Sequence, residues 1–279
     1  MPARTNATAS TAGVLRPEEF ARHVHLERGA AGSAVAPWVE NHWALRWSLP
    51  EGRHFASEVL PHPTCSLTVE VGSHRRPDLP PGEDVVVTGV CTRRFDVDVR
   101  GHGVVLGVRF RPGGLTALTG VGAAGWVDRS VPAREVLPAD LVAALADPAL
   151  VDDPGAWARA LEDGLVGLGA GEDPRHAELL EVVGVMLADR SLLTVADVAI
   201  RVATTPRSLQ RLFTHYVGVG PKWVLARYRM HDVVSELDAG YDGTLTDLAH
   251  RYGWYDQAHF TRDFTALVGV SPGRYRARR

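Results

Sequence analysis

Apolar positions between Trp38 and Phe110 tend to alternate with polar ones. Trp43, Leu45, Trp47 and Leu49 make one such run, Leu67, Val69 and Val71 a second, and Phe95, Val97 and Val99 a third. A period of two is what a strand with one buried face requires. The stretch VVLGVRF from Val104 is apolar almost throughout, as expected of a strand covered on both faces. Turn-rich pieces, Pro50-Glu51-Gly52 and the segment from Arg75 to Glu83, separate these runs. The pattern predicts a β-rich sandwich or barrel.

Past Pro112 the period lengthens to that of helices. Asp153-Pro154 forms a helix start, with Trp157, Leu161, Leu165 and Leu168 on about one face. GAGEDP, residues 169–174, reads as a linker. Beyond it the pattern predicts helix throughout: a first helix over Pro174 to Ala188, then two similar units joined by a long helix over about Pro221 to Leu237. The expected organisation is therefore α+β: a disordered tail over 1–13, a β-rich regulatory domain with trailing helices over 14–168, and an all-α domain over 174–279.

The two units align at an offset of 50 to 51 residues. Thr194-Val195-Ala196-Asp197 matches Thr244-Leu245-Thr246-Asp247, both of the Thr-x-x-acid form that caps a helix start. Leu209 matches Phe260, Arg211 matches Arg262, and VGVGP (217–221) matches VGVSP (268–272). One inserted residue accounts for the change of offset. Its expected place is the turn between the two helices of the second unit, near Gly253.

In the first unit Thr205 and Pro206 start a helix whose Leu209, Leu212, Phe213 and Tyr216 form one apolar stripe. Arg207, Gln210, Arg211 and Thr214 are left outside. In the second, Asp256 is the expected cap, Phe260, Phe264 and Leu267 the stripe, and Gln257, Thr261 and Arg262 the outer face. Such faces can read base edges: Arg bridges guanine O6 and N7, Gln pairs with adenine N6 and N7, and Thr meets a base or a thymine methyl. Any one of these side chains would, by itself, be a solvated surface residue. Two copies of a short helix, turn and capped helix with matching polar positions favour DNA reading. In the joining helix Trp223, Ala226, Met230, Val233 and Leu237 make the expected packing stripe, with Arg227 and Arg229 off it, facing solvent or phosphate.

These motifs carry a resemblance. GWYDQAHFTRDFTALVGVSPGRYR (253–276) and SLQRLFTHYVGVGP (208–221) resemble the signatures of the AraC/XylS family of transcription regulators, over about Pro174 to Arg279. The resemblance implies two helix-turn-helix units held by a connecting helix, with base-reading residues Arg207, Gln210 and Arg211, then Gln257, Thr261 and Arg262. Ala258 stands where relatives often carry a longer side chain. The N-terminal half, with APWVENHW (36–43), a VLP segment (59–61) and GVRFRPGG (107–114), resembles a sensory-type domain. The implied partner is double-stranded DNA, and the family's habits add RNA polymerase, a small-molecule effector and a second copy of the chain. No cofactor is implied.

Charge adds modest support. From Arg175 onward there are 14 Lys and Arg against 11 Asp and Glu, +3, which leaves 16 against 22, −6, for the preceding part. The longest run without a charged residue, Pro112 to Val127, holds five glycines and is too short to span a bilayer. With no apolar leader at the start, a cytoplasmic location is expected. Cys65 and Cys91 are too few for a four-thiolate zinc site, which counts against the rival reading of an Ada-type repair methyltransferase fused to a DNA-binding module. His23, His25, His62 and Cys65 have metal-like spacings but complete no ligand set, so no metal site is assigned. Trp38, Trp43 and Trp47 are candidates to line an apolar pocket. Neither a nucleophile elbow nor a phosphate loop is present, so an enzyme is not expected.

Overall fold

The structure, a computed structural model, describes residues 13–76 and 82–277. The tail expected over 1–13 lies outside them, except for Gly13, whose carbonyl accepts the Leu60 N–H at 2.7 Å.

After a short helix, α1 (Pro17–His23), come strands β1 (Val24–Ala30), β2 (Val39–Ser48), β3 (His54–Val59), β4 (Ser66–Arg75), β5 (Val85–Thr88), β6 (Phe95–Phe110) and β7 (Ser130–Pro132). They form one antiparallel sheet in the order β1-β2-β6-β4-β5-β7, with β3 also paired to β6. The alternating run at Phe95 and the apolar run at Val104 are two halves of the 16-residue β6. That strand is the spine of the sheet. Its first half pairs with β3, Phe95 opposite Val59, and its second half lies between β2 and β4, with Leu106 opposite both Ala44 and Val69. The central half is the most buried, which explains its unbroken apolar character.

Helices follow: α2 (Gly114–Thr119), α3 (Ala139–Leu145), α4 (Pro148–Val151), α5 (Pro154–Gly167), α6 (Pro174–Ala188), α7 (Val195–Arg201), α8 (Pro206–Tyr216), α9 (Pro221–Asp238), α10 (Leu245–Arg251), α11 (Gln257–Val268) and α12 (Pro272–Arg276). Among the described residues no helix is long and apolar enough to cross a membrane. In α5 Trp157, Leu161 and Leu165 of the expected stripe are fully buried, whereas Leu168 lies just past the helix and is half-buried, and Asp153 caps the start by accepting the Ala156 N–H.

The largest hydrophobic cluster runs from the sheet (Leu67, Leu106, Phe110) through Leu115 and Trp157 into Leu179, Leu209, Phe213 and Tyr228 of the helical half. The halves are also pinned by hydrogen bonds. His176 Nε2–H donates to Pro112 O at 3.0 Å, Thr116 Oγ1 to Tyr216 O at 3.2 Å, and Arg94 Nη1 to Val268 O at 3.0 Å.

Helix α9 departs from the expected stripe. Met230, Val233 and Leu237 are buried as expected, but Trp223 and Ala226 are only partly so, while Val224, Leu225, Tyr228 and Val234 carry much of the burial. Arg227, expected in solvent, is 1% exposed. It donates to Thr92 O at 2.6 Å and lies 4.5 Å from the Trp223 ring centroid. Burial pushes this guanidinium down to about 10. Arg229 donates to Tyr252 O at 3.1 Å and covers Trp254. The reason is topological: α9 has partners on nearly every side, the sheet domain included, so no broad face remains for water.

Candidate nucleic-acid interface and cavity

Each helical unit is built by its caps. Thr194 accepts the Asp197 N–H at 3.1 Å while Asp197 accepts the Thr194 N–H at 2.9 Å, a complete capping box for α7. Thr244 repeats the first half of that exchange for α10. Thr205 then caps α8 through Ser208 N–H, and Asp256 caps α11 through His259 N–H at 2.7 Å. The turn from α7 to α8 has four residues, 202–205, and that from α10 to α11 has five, 252–256. The extra residue thus sits in the turn where the change of offset placed it. Ala203 (φ 52°) and Gly253 (φ 79°) occupy equivalent left-handed positions in the two turns. Only the second unit uses the residue type that bears this conformation without strain.

The apolar stripes pack as the periodicity required. Leu209, Leu212, Phe213 and Tyr216 of α8 are buried, and so are Phe260 and Phe264 of α11. Leu267 is only half-buried, Val268 taking the inner position instead. The first unit packs with Val224, Leu225 and Tyr228 in the first half of α9, and the second with Met230, Val233, Val234 and Leu237 in its second half. One rigid helix therefore sets the separation of the two units.

On the opposite faces, Arg207, Gln210 and Arg211 are all exposed on α8, spaced at i, i+3 and i+4. Gln210 Nε2 donates to Thr214 Oγ1 at 3.1 Å. Gln257 and Arg262 are exposed on α11 and Thr261 is half-buried. Gln257 is tethered, its Oε1 accepting from Thr246 Oγ1 of α10 at 2.7 Å. Ala258 is exposed as well. Among the described residues Arg207, Arg211 and Arg262 have no acidic partner within ion-pair distance. Tyr255, at the entry to α11, is 88% exposed and belongs to neither periodic face, so hydrophobic periodicity gives no signal for it.

Residues 186–278 match the family described as a helix-turn-helix domain, and residues 28–132 match a domain of unknown function (DUF6597). Over 83 residues the chain is 34% identical to a putative AraC-like transcription regulator of Streptomyces lividans, covering 30% of this chain and 27% of that protein. The C-terminal third is a helix-turn-helix domain, similar in sequence to that of an AraC-like regulator. A second relative is the uncharacterized HTH-type transcriptional regulator YtdP of Bacillus subtilis (strain 168), 31% identical over 86 residues, 31% of this chain and 11% of that one. The chain thus spans well under two thirds of either curated relative. Among solved structures, a transcriptional regulator from Chromobacterium violaceum aligns with 38% of this chain and 94% of its own (TM-score 0.33, 21% identity). ToxT from Vibrio cholerae aligns with 91% of this chain and 97% of its own (TM-score 0.42, 10% identity).

Ahead of the helix-turn-helix domain, the sheet curls around a cavity of about 200 Å³. Trp43 and Trp47 line it, as expected, with Leu26, Leu45, Phe95 and Val105. Trp38 does not; it packs against the main core. Two glycines of β6 make room for the indoles: a Cβ on Gly103 would lie 2.1 Å from the Trp47 ring, and one on Gly107 2.4 Å from that of Trp43. Charged groups occupy two parts of the wall. In one, Glu70 accepts from Thr68 Oγ1 at 2.7 Å and His74 Nε2 at 2.8 Å and pairs with Arg76, which also donates to Thr88 Oγ1. Burial alone would push the Glu70 carboxyl up, but His74, Arg76 and Thr68 together hold it below its ordinary value. In the other, Arg28 of β1 and Arg109 of β6 face the cavity. The β2 bulge between Val39 and Asn41 holds Glu40, whose charge acts on both. Sequence periodicity passed over Arg28 and Arg109, although Arg109 continues the inward Val105-Gly107 series.

At the cavity wall, His62 is stacked on His231 of α9 with ring centroids 4.1 Å apart, and His231 Nε2–H donates to Pro61 O at 3.2 Å. Pro61 and His62 both line the cavity. Burial drives the His231 imidazole down to about 3, so it is neutral. Among the described residues no group of three His, Cys, Asp or Glu side chains could hold a metal.

Proposed function

We propose that this chain is a sequence-specific DNA-binding transcription regulator. The first unit reads base edges through Arg207, Gln210 and Arg211, the second through Gln257, Thr261 and Arg262. The observation that carries this reading is the repeat itself: two capped helices with uncommitted guanidinium groups outward, both seated on one connecting helix. Guanidinium groups without carboxylate partners are free to meet phosphate or guanine. A cytoplasmic location goes with this role, and RNA polymerase and a second copy of the chain are the protein partners it would call for.

In the same reading a small-molecule effector enters the cavity of the N-terminal domain. Pro61 and His62 line that cavity and touch His231, while Thr92 O holds Arg227. A ligand that shifts this wall bears directly on α9, the element that spaces the units. The enzyme alternative draws no support from Cys65, which is buried, and burial pushes it up to about 12, the opposite of an activated nucleophile.

The test is selection of bound duplexes from a random library by the full chain, followed by affinity measurements at rising salt. Enrichment of one motif, bound with steep salt dependence, is the expected result. Enrichment of no motif would refute the reading.

A further inference from the structure

We propose that the cavity takes a small, largely apolar molecule bearing one negative charge, a monocarboxylate by chemistry, with the Arg109 guanidinium as its anion partner. This inference rests on the cavity being the effector site and specifies what fits there.

Arg76 is paired with Glu70, and His74 Nε2 bonds the same carboxylate, so the Arg76 guanidinium already has its anion. At the other cluster two guanidinium groups, Arg28 and Arg109, share the field of the single carboxylate Glu40. Arg109 offers an unused donor there: its Nη1 is buried, and among the described residues the guanidinium makes no hydrogen bond. Burial pushes it down to about 10, Glu40 partly opposing this and Arg28 adding to it. A buried cation with an unused donor is costly unless an anion meets it.

Strand register fixes where that anion would lie. Arg109 stands opposite Asn41 on one side and Ser66 on the other, so its side chain emerges on the inner face of the sheet. Two residues back along β6, Gly107 lets the Trp43 indole lie against the strand. A planar or short aliphatic body against Trp43 and Trp47 would thus place its carboxylate at the guanidinium, which is shaped for bidentate contact. A cation would meet two like charges, and a neutral polyol would leave the indole walls unpaired with apolar surface. The volume, about 200 Å³, exceeds a 150 Å³ cavity that accepts benzene, so a single substituted ring or a short chain fits.

Isothermal titration of the full chain with benzoate, 4-phenylbutyrate and octanoate, each beside its neutral amide, tests this directly. At least one acid should bind about ten-fold or more tighter than its amide, the margin of a charge-assisted hydrogen bond. Arg109→Gln should bring that ratio close to one with the amide's affinity kept, and Arg109→Lys should retain a preference for the acid. Circular dichroism of each variant checks that it is folded. Equal binding of acid and amide, or a ratio unchanged in Arg109→Gln, would overturn the anion assignment while leaving an effector cavity intact. Binding of none of the three pairs would overturn both. Neither result depends on DNA binding, which is measured separately.

Discussion

Phe264→Ala and Arg262→Ala, two substitutions two residues apart on α11, should have opposite effects. Phe264 has no exposed surface, and its ring meets Phe260 and Tyr275 edge-on at centroid distances of 5.7 and 5.6 Å. It sits in the cluster that joins the second unit to Met230, Val233 and Leu237 of α9. Removing a fully buried phenyl ring costs about 3–5 kcal/mol, and the loss of two aromatic pairings pushes this toward the upper end. At about 2–4 °C per kcal/mol, the melting temperature should fall by roughly 6–20 °C. Arg262 is exposed and has no ion-pair partner among the described residues, so its loss should change stability by no more than about 0.5 kcal/mol. Its effect should appear in DNA binding instead: discrimination between the selected site and a scrambled one should fall by about 1–3 kcal/mol, roughly 5- to 150-fold. Thermal melts followed by fluorescence anisotropy on the same preparations measure both quantities. An Arg262→Ala variant that melts early beside an undisturbed Phe264→Ala, or one that keeps full discrimination, would reverse the inside and outside of the helix.

Further outcomes follow from the same structure. Because His231 is held near 3 against an ordinary 6.5, the unfolded chain takes up a proton that the folded chain refuses, so this contribution is complete above pH 6.5 and is lost as pH falls toward 3. Between pH 7 and 5 the loss amounts to about 2 kcal/mol; His42 and His176, also lowered chiefly by burial, act in the same direction. Urea unfolding at the two pH values, with His231→Asn showing a smaller difference, checks it. Asp256→Ala should cost about 1 kcal/mol through loss of the α11 cap, read as a lower urea midpoint. Gly107→Ala drives a methyl into the Trp43 indole and should destabilise the sheet by about 1–3 kcal/mol with a changed tryptophan emission spectrum.

Several elements were legible before any coordinates. Local signals determine them: Thr205 with Pro206 defines the start of α8, and the stripe from Leu209 to Tyr216 defines its inner face. The change of offset between the repeats located an extra turn residue because a helix would not accommodate one. What remained hidden depends on contacts distant in sequence. Arg227 looks like a surface residue on any helical wheel, yet Thr92, 135 positions away, supplies its acceptor. Trp38 lies just ahead of β2 and an odd five positions from Trp43, off the alternating face that Trp43 and Trp47 share, and only those two reach the cavity. The Arg28, Glu40 and Arg109 group comes from three strands and has no spacing to detect. The 169–174 segment does end α5 and precede α6, while the hydrophobic cluster continues across it, something composition cannot register.

The central claim is that one chain reads two subsites in tandem, and the length of α9 makes it testable on DNA. Its 18 residues span about 27 Å at 1.5 Å per residue, which suits units spaced near the roughly 34 Å helical repeat. A tandem repeat carries no two-fold symmetry, so the two subsites need not form a palindrome. Inserting about five base pairs between them turns one subsite to the opposite face, and inserting about ten restores the face but adds roughly 34 Å of span. The account predicts that both insertions weaken binding of the full chain to its selected site sharply, because a packed helix fixes the spacing. Undiminished affinity for all three duplexes would contradict it, leaving a single reading unit or a flexible joint in place of paired readers.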